Sequence, residues 1–191
     1  METEQSDVDL VGGETVRAVA RAALLAALMG AAAFVSIPIS AVPGTLQTLI
    51  VFLAALYLGP YWGGASMVLY LAVGAMGAPV FSGFSAGLGV LVGPTAGFLW
   101  TFPLGAVIAG FVIHRGGDLR DPASVPLPVV VAGLAIATAV IYVAGFGWYA
   151  WVTDTALAEA FAVVAAPLIP GDLLKMAAAI AIIRTGRIDI G

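Results

Sequence analysis

The sequence predicts an all-α integral membrane protein with six transmembrane helices, both termini in the cytoplasm, and partly broken helices lining an externally facing pocket. Three observations predict it. The 191 residues are 62% apolar and only 9% charged, whereas soluble domains carry about 25% charged residues. No Asp, Glu, Lys, Arg or His occurs from Ala22 to Ile113, a stretch that holds four spans of about 20 residues each. The six arginines all fall on one side of the membrane if the chain crosses six times, and the positive-inside rule then makes that side cytoplasmic. Five or seven crossings would scatter them.

Residues 1–15 form an acidic, polar tail, unlike the basic start of a signal peptide. Residues 16–191 form one six-helix domain. The first span covers residues 17–35 and ends at IPISAVPG, whose two prolines stop a helix. The second covers 45–58, and the turn GPYWGG leads into the third, 61–76. A glycine-rich linker, GAPVFSGFSAGLGVLVGP, follows. It is too irregular to face lipid and must be covered by protein or open to water. The fourth span covers 95–113, the polar loop HRGGDLRDPASVP follows it, and the last two spans cover 127–148 and 160–183. Arg17 and Arg21, Arg115 and Arg120, and Arg184 and Arg187 then flank the cytoplasmic ends.

The chain's single lysine, Lys175, lies in the last span, three residues after Asp172 in PGDLLK. Residues at i and i+3 share a helix face, and ionisable residues within a membrane are functional candidates because burying charge there is costly. With Arg184 at the inner boundary, the pair sits about 16 Å or more into the bilayer, near its middle or in its outer half. Pro167, Pro170 and Gly171 interrupt the helix just before it, as in helices that line substrate cavities. The pair also suits a plainer role, with Asp172 capping a helix after Pro-Gly and Lys175 neutralising it. Gln47, the membrane part's one glutamine, opens the second span and offers amide donors and an acceptor. On the same external side lie Phe81, Ser82, Gly83, Phe84, Ser85 and Gly87 of the linker. Its glycines allow close backbone approach to a ligand and its phenylalanines offer apolar walls.

Several chemistries are excluded or disfavoured. Gly83–Gly87 matches G-x-S-x-G, but the only histidine, His114, lies across the fourth span, about 30 Å away by helix rise, so no catalytic residue is assigned. The chain has no cysteine, no His/Glu cluster for a metal and no phosphate-binding GxxxxGK[ST] loop, and it calls for no cofactor. Its acidity suggests no nucleic-acid partner. In the first span Ala18, Ala22, Ala26 and Gly30 recur every four residues, as do Ala23, Ala27 and Ala31. Such stripes allow close helix approach, either inside the bundle or to a membrane partner.

Three stretches, PGTLQTLIVFLAALYLGPYWG, GAMGAPVFSGFSAGLGVLVGPTAGF and PGDLLK, make the chain resemble the BioY family, the biotin-specific substrate-binding (S) subunits of energy-coupling-factor (ECF) transporters. The resemblance runs from the first span to the last. It implies a plasma-membrane protein that binds biotin from outside and releases it inside. Energy would come from a transmembrane coupling subunit and two cytoplasmic ATPases. Carried over residue by residue, it places the ligand site at Gln47, the Phe81–Gly87 linker, Asp172 and Lys175. It places the coupling-subunit contact on the alanine stripe of Ala18, Ala22, Ala23, Ala26 and Ala27. Biotin would be the transported ligand, its urea N–H groups suited to a carboxylate and its carboxylate or carbonyl suited to an ammonium group. A thiamine or riboflavin S subunit, and an ion-coupled secondary transporter using the same charged pair, are the alternative readings.

Overall fold

The computed structural model describes residues 12–185. Most of the acidic tail and Arg187 lie outside that range. Long helices dominate: α1 (Gly13–Phe34), α2 (Gln47–Ala75), α3 (Ala96–His114), α4 (Leu127–Thr153), the short α5 (Leu157–Ala160) and α6 (Ile169–Arg184). Counting the helical run Leu157–Arg184 as one, five helices among the described residues are long and apolar enough to cross a membrane. The connection after α1 contains two two-residue strands, β1 (Ser36–Ile37) and β2 (Gly44–Thr45). They pair antiparallel with Ser36 opposite Thr45. The glycine-rich linker forms two short 3₁₀-helices, Ser82–Phe84 and Leu88–Val92.

The expected second and third spans form one helical stretch, α2, that folds back on itself. Gly59 has φ 68° and ψ −169°, a conformation essentially restricted to glycine. Pro60 follows, where its missing N–H costs nothing at the start of a new arm. The amide of Gln47 consequently reaches the hydroxyl of Tyr70 at 2.6 Å, although 23 residues of straight helix would separate them by about 34 Å. α2 is therefore two antiparallel arms, residues 47–58 and 60–75. α3 presses on the corner: a Cβ on Gly110 would lie 2.5 Å from the Pro60 nitrogen. Substituting Gly59 with alanine is expected to cost about 1–3 kcal/mol, read as a lower unfolding temperature in detergent. An unchanged melting curve would show that the corner does not need this conformation.

The end of the chain departs from expectation in a second way. An interruption was expected at Pro167, Pro170 and Gly171; Pro167 does lie in an irregular turn, but Pro170 and Gly171 lie within α6. The irregularity begins further upstream, in a π-helical turn at Phe161–Ala165, and ends with the 3₁₀ turn Ala166–Leu168 that holds Pro167. Pro170 sits in the first turn of α6, where proline is tolerated because those N–H groups have no helical partner. Asp172 is thus inside α6, and its side chain makes no capping hydrogen bond.

Two apolar clusters fill the bundle. One, around Met29, Val51, Tyr70, Phe81 and Phe98, surrounds the end of α2 that carries Gln47. The other, around Phe52, Leu56, Ile113, Leu134 and Ile183, fills the opposite end. α2 packs against α1 and α3, and α3 against α4, while α6 leans on α2 and α4. Only 22% of the apolar window in Leu157–Arg184 is buried, against 67% in α2. Apolar packing therefore holds α6 less firmly than the other helices, which gives its polar cross-links more to do.

At the far end the lone histidine acts as a clip. Buried His114 places Nε2 3.0 Å from the Ala55 carbonyl, and its Nδ1 accepts the Arg120 backbone N–H at 3.0 Å. An accepting Nδ1 leaves the hydrogen on Nε2, so the ring is neutral and ties the first arm of α2 to the loop after α3. Arg184, at the end of α6, donates to the carbonyls of Ala123 and Val125 at 2.5 and 2.8 Å and fastens the other end of that loop.

Candidate ligand-binding site

A cavity of about 280 Å³ lies among the β2 segment, the first turn of α2, the glycine-rich linker, α3, α4 and α6. This is near the lower end of the roughly 300–1,000 Å³ usual for small-molecule sites. Val42, Pro43, Val90, Phe98, Leu99, Phe102 and Leu168 give it apolar walls. Thr45, Gln47, Thr48, Ser82, Ser85, Thr95 and Tyr142 supply uncharged polar groups, and Asp172 and Lys175 are its only ionisable acid and base.

Asp172 and Lys175 form a salt bridge, Nζ to Oδ1 at 2.5 Å. The spacing read from the sequence does put them on one face of α6. Two further elements converge on the carboxylate. The Thr48 hydroxyl on α2 donates to Oδ1 at 2.6 Å, and the Tyr142 hydroxyl on α4 donates to Oδ2 at 2.6 Å. Lys175 also donates to Thr48 Oγ1 at 3.1 Å. A buried carboxylate is tolerable only when paired and hydrogen-bonded, and here three donors serve it. Hydrogen bonds to a charged group contribute roughly 1.5–3 kcal/mol each, so Asp172 is the polar joint between α6 and the rest of the bundle. Asp172 does not cap α6: its oxygens accept from Thr48, Tyr142 and Lys175 rather than from backbone N–H groups of its own first turn. The lysine side chain is 14% exposed and the aspartate 6%. Of its three donors Lys175 uses two, which leaves one N–H for a ligand in the cavity.

Gln47 is buried and doubly engaged. It donates to Tyr70 and accepts from the Thr45 hydroxyl at 3.0 Å. Phe81 is also buried and sets its ring edge-on to Tyr70, with centroids 5.5 Å apart. Ser82 and Ser85 reach the cavity wall. The Ser85 hydroxyl bonds the Ser82 carbonyl at 2.8 Å, and the Ser82 hydroxyl lies 3.1 Å from that of Ser36. The structure thus brings Gln47, Phe81, Ser82, Ser85, Asp172 and Lys175 to one cavity.

It does not bring Gly83, Phe84 or Gly87 to the cavity wall. Gly83 and Gly87 have φ of 68° and 86° and shape the linker, the Gly87 N–H bonding the Gly74 carbonyl at 2.8 Å. Phe84 is 65% exposed and stacks on Phe34 at the end of α1, with centroids 4.6 Å apart. The alanine stripe divides as well. Ala22 and Ala26 are buried inside the bundle, Ala18 is half-buried, and Ala23 and Ala27 face outward. Burial makes Ala22 and Ala26 unavailable to an outside partner in this conformation.

Sequence reasoning missed Thr48 and Tyr142. Thr48 had a signal, since it adjoins Gln47 in the short polar run TLQT of an otherwise apolar helix. Tyr142 had none: α4 is apolar all round, so nothing marks which face looks inward.

The BioY family model matches residues 2–189. Among named relatives, a biotin transporter BioY from Thermotoga maritima is 36% identical over 177 residues, covering 92% of this chain and 99% of its own length. A probable biotin transporter BioY from Pyrococcus horikoshii is 38% identical over 160 residues, covering 84% and 90%. The fold is similar to the crystal structure of the S-component for biotin from an ECF-type ABC transporter, with a TM-score of 0.76, 22% identity, and coverage of 93% of this chain and 94% of that one. A family match over nearly the whole length, with relatives above one-third identity, makes this chain a member of the BioY family.

Proposed function

We propose that this protein is the biotin-binding S subunit of an ECF-type transporter in the plasma membrane. It would take biotin from outside and release it inside, in partnership with a coupling membrane subunit and two cytoplasmic ATPases. The observation that carries the reading is the Asp172–Lys175 pair, braced by Thr48 and Tyr142 at the wall of a mostly apolar cavity in a BioY-family chain. Biotin combines an apolar thiophane ring with polar groups at both ends, a combination this cavity suits. The two arms of α2, with the other four helical segments, give six crossings. Arg17, Arg21, Arg115, Arg120 and Arg184 then share the cytoplasmic side, and the cavity opens outward. The outward alanines of α1, Ala23 and Ala27, form the face offered to the coupling subunit, where small side chains permit close helix contact.

Purified protein is expected to gain thermal stability with biotin and with neither thiamine nor riboflavin. At a ligand concentration 100 times Kd the gain corresponds to about 2.7 kcal/mol. A shift with another vitamin, and none with biotin, rejects the assignment. Uptake into vesicles without an ATPase partner would instead favour an ion-coupled transporter.

A further inference from the structure

A second cleft, of about 450 Å³, lies at the arginine-bearing end of the bundle and is separate from the ligand cavity. The first arm of α2 separates the two, with Gln47 in one and Tyr57 in the other, about 15 Å apart along the helix. The cleft's wall on α1 carries Glu14, Arg17 and Arg21, whose i, i+3, i+7 spacing puts them on one helix face. Asp118, from the loop that His114 clips in place, adds a second carboxylate. Tyr61, 65% exposed, and half-buried Trp62 complete the rim.

These features describe a headgroup site. Tyr and Trp concentrate where membrane meets water, and basic pockets between helices on the cytoplasmic side take phospholipid heads. Arg17 and Arg21 each already interact within the protein, but a guanidinium has five N–H donors and keeps capacity for phosphate oxygens. Apolar Ala18, Leu58 and Leu119 line the same cleft, and Leu119 is 43% exposed. An apolar surface beside the charges suits acyl chains and distinguishes a lipid from a soluble anion. The two carboxylates refine the class, because a purely anionic head would meet Glu14 and Asp118 unfavourably. A head bearing both phosphate and a primary ammonium satisfies both signs.

We infer that this cleft binds one phospholipid of the phosphatidylethanolamine type, phosphate toward Arg17 and Arg21 and ammonium toward Glu14 and Asp118. The test is native mass spectrometry of the full chain released from phosphatidylcholine nanodiscs doped with either phosphatidylethanolamine or phosphatidylglycerol. The wild type is expected to retain one phosphatidylethanolamine. R17Q/R21Q should reduce retention by about tenfold or more. R115Q/R120Q removes the same charge from the same side without touching the cleft and should leave retention unchanged. Unaltered biotin affinity in both variants certifies the fold. Equal loss in the two variants would reduce the effect to general surface charge and overturn the site. Equal retention of phosphatidylglycerol, or equal stabilisation by inorganic phosphate alone, overturns it too. So does a cleft that takes up no lipid and becomes protected only when a partner subunit binds, which would make it a protein interface.

Discussion

Asp172→Asn is expected to weaken biotin binding by roughly 30-fold to several thousand-fold while the protein still inserts and folds. That range corresponds to the 2–5 kcal/mol lost when one partner of a buried, hydrogen-bonded charge pair is removed. In the wild type the Thr48 and Tyr142 hydroxyls each hold a different carboxylate oxygen at 2.6 Å; asparagine keeps one acceptor oxygen for one of them, and its NH2 can donate to the other hydroxyl once that hydroxyl turns. The joint between α6, α2 and α4 therefore survives. What disappears is the negative charge that keeps Lys175 in place beside the cavity. Lysine's side chain is the more exposed of the two, so its uncompensated charge has some access to water in the cavity. The reverse change, Lys175→Met, leaves the more deeply buried carboxylate without its cation and is expected to cost more stability, about 3–5 kcal/mol. Combining the two substitutions removes the orphaned charge and should recover most of the stability but none of the affinity. Equilibrium binding and thermal unfolding on the four proteins separate the effects. Unchanged affinity in a folded Asp172→Asn protein would return this residue to a structural role.

How much of this was legible in the sequence depends on the kind of signal each feature leaves. Charge inside an apolar run is conspicuous, so Asp172 and Lys175 were found and their shared face followed from spacing alone. Helix ends were legible where proline or glycine punctuates them, and the Gly59–Pro60 corner between the second and third spans is the clearest case. Pro170 misled because proline in a first turn and proline that breaks a helix look alike in sequence. The difference is set by the π-helical turn upstream, which has no residue signature. Partner helices are the least legible. Tyr142 meets Asp172 only because α4 and α6 pack side by side, and an all-apolar helix does not declare which face turns inward. Gly83, Phe84 and Gly87 were grouped with Phe81, Ser82 and Ser85 because they are contiguous. In the linker, however, left-handed backbone at Gly83 and at Phe84 itself turns the Phe84 ring outward onto Phe34.

The two alanine stripes of α1 should respond oppositely to enlargement, and this separates folding from assembly. Ala22 and Ala26 are 5% and 8% exposed, with no room for larger side chains. Substituting both with leucine is expected to cost about 1–3 kcal/mol per site through overpacking, lowering the unfolding temperature with or without any partner. Ala23 and Ala27 face away from the bundle. Leucine at both adds apolar bulk on the membrane side and should leave both melting temperature and biotin affinity as they were. If this face receives the coupling subunit, the same change props the two helices apart and removes the close packing on which membrane helix association depends. Co-purification with the coupling subunit, and ATP-dependent uptake in vesicles, should then fall by at least about tenfold. Normal uptake by the Ala23→Leu, Ala27→Leu protein would move the contact to another face. A loss of biotin binding in that protein would instead tie α1 to the ligand site, through the Phe34–Phe84 stack at its end.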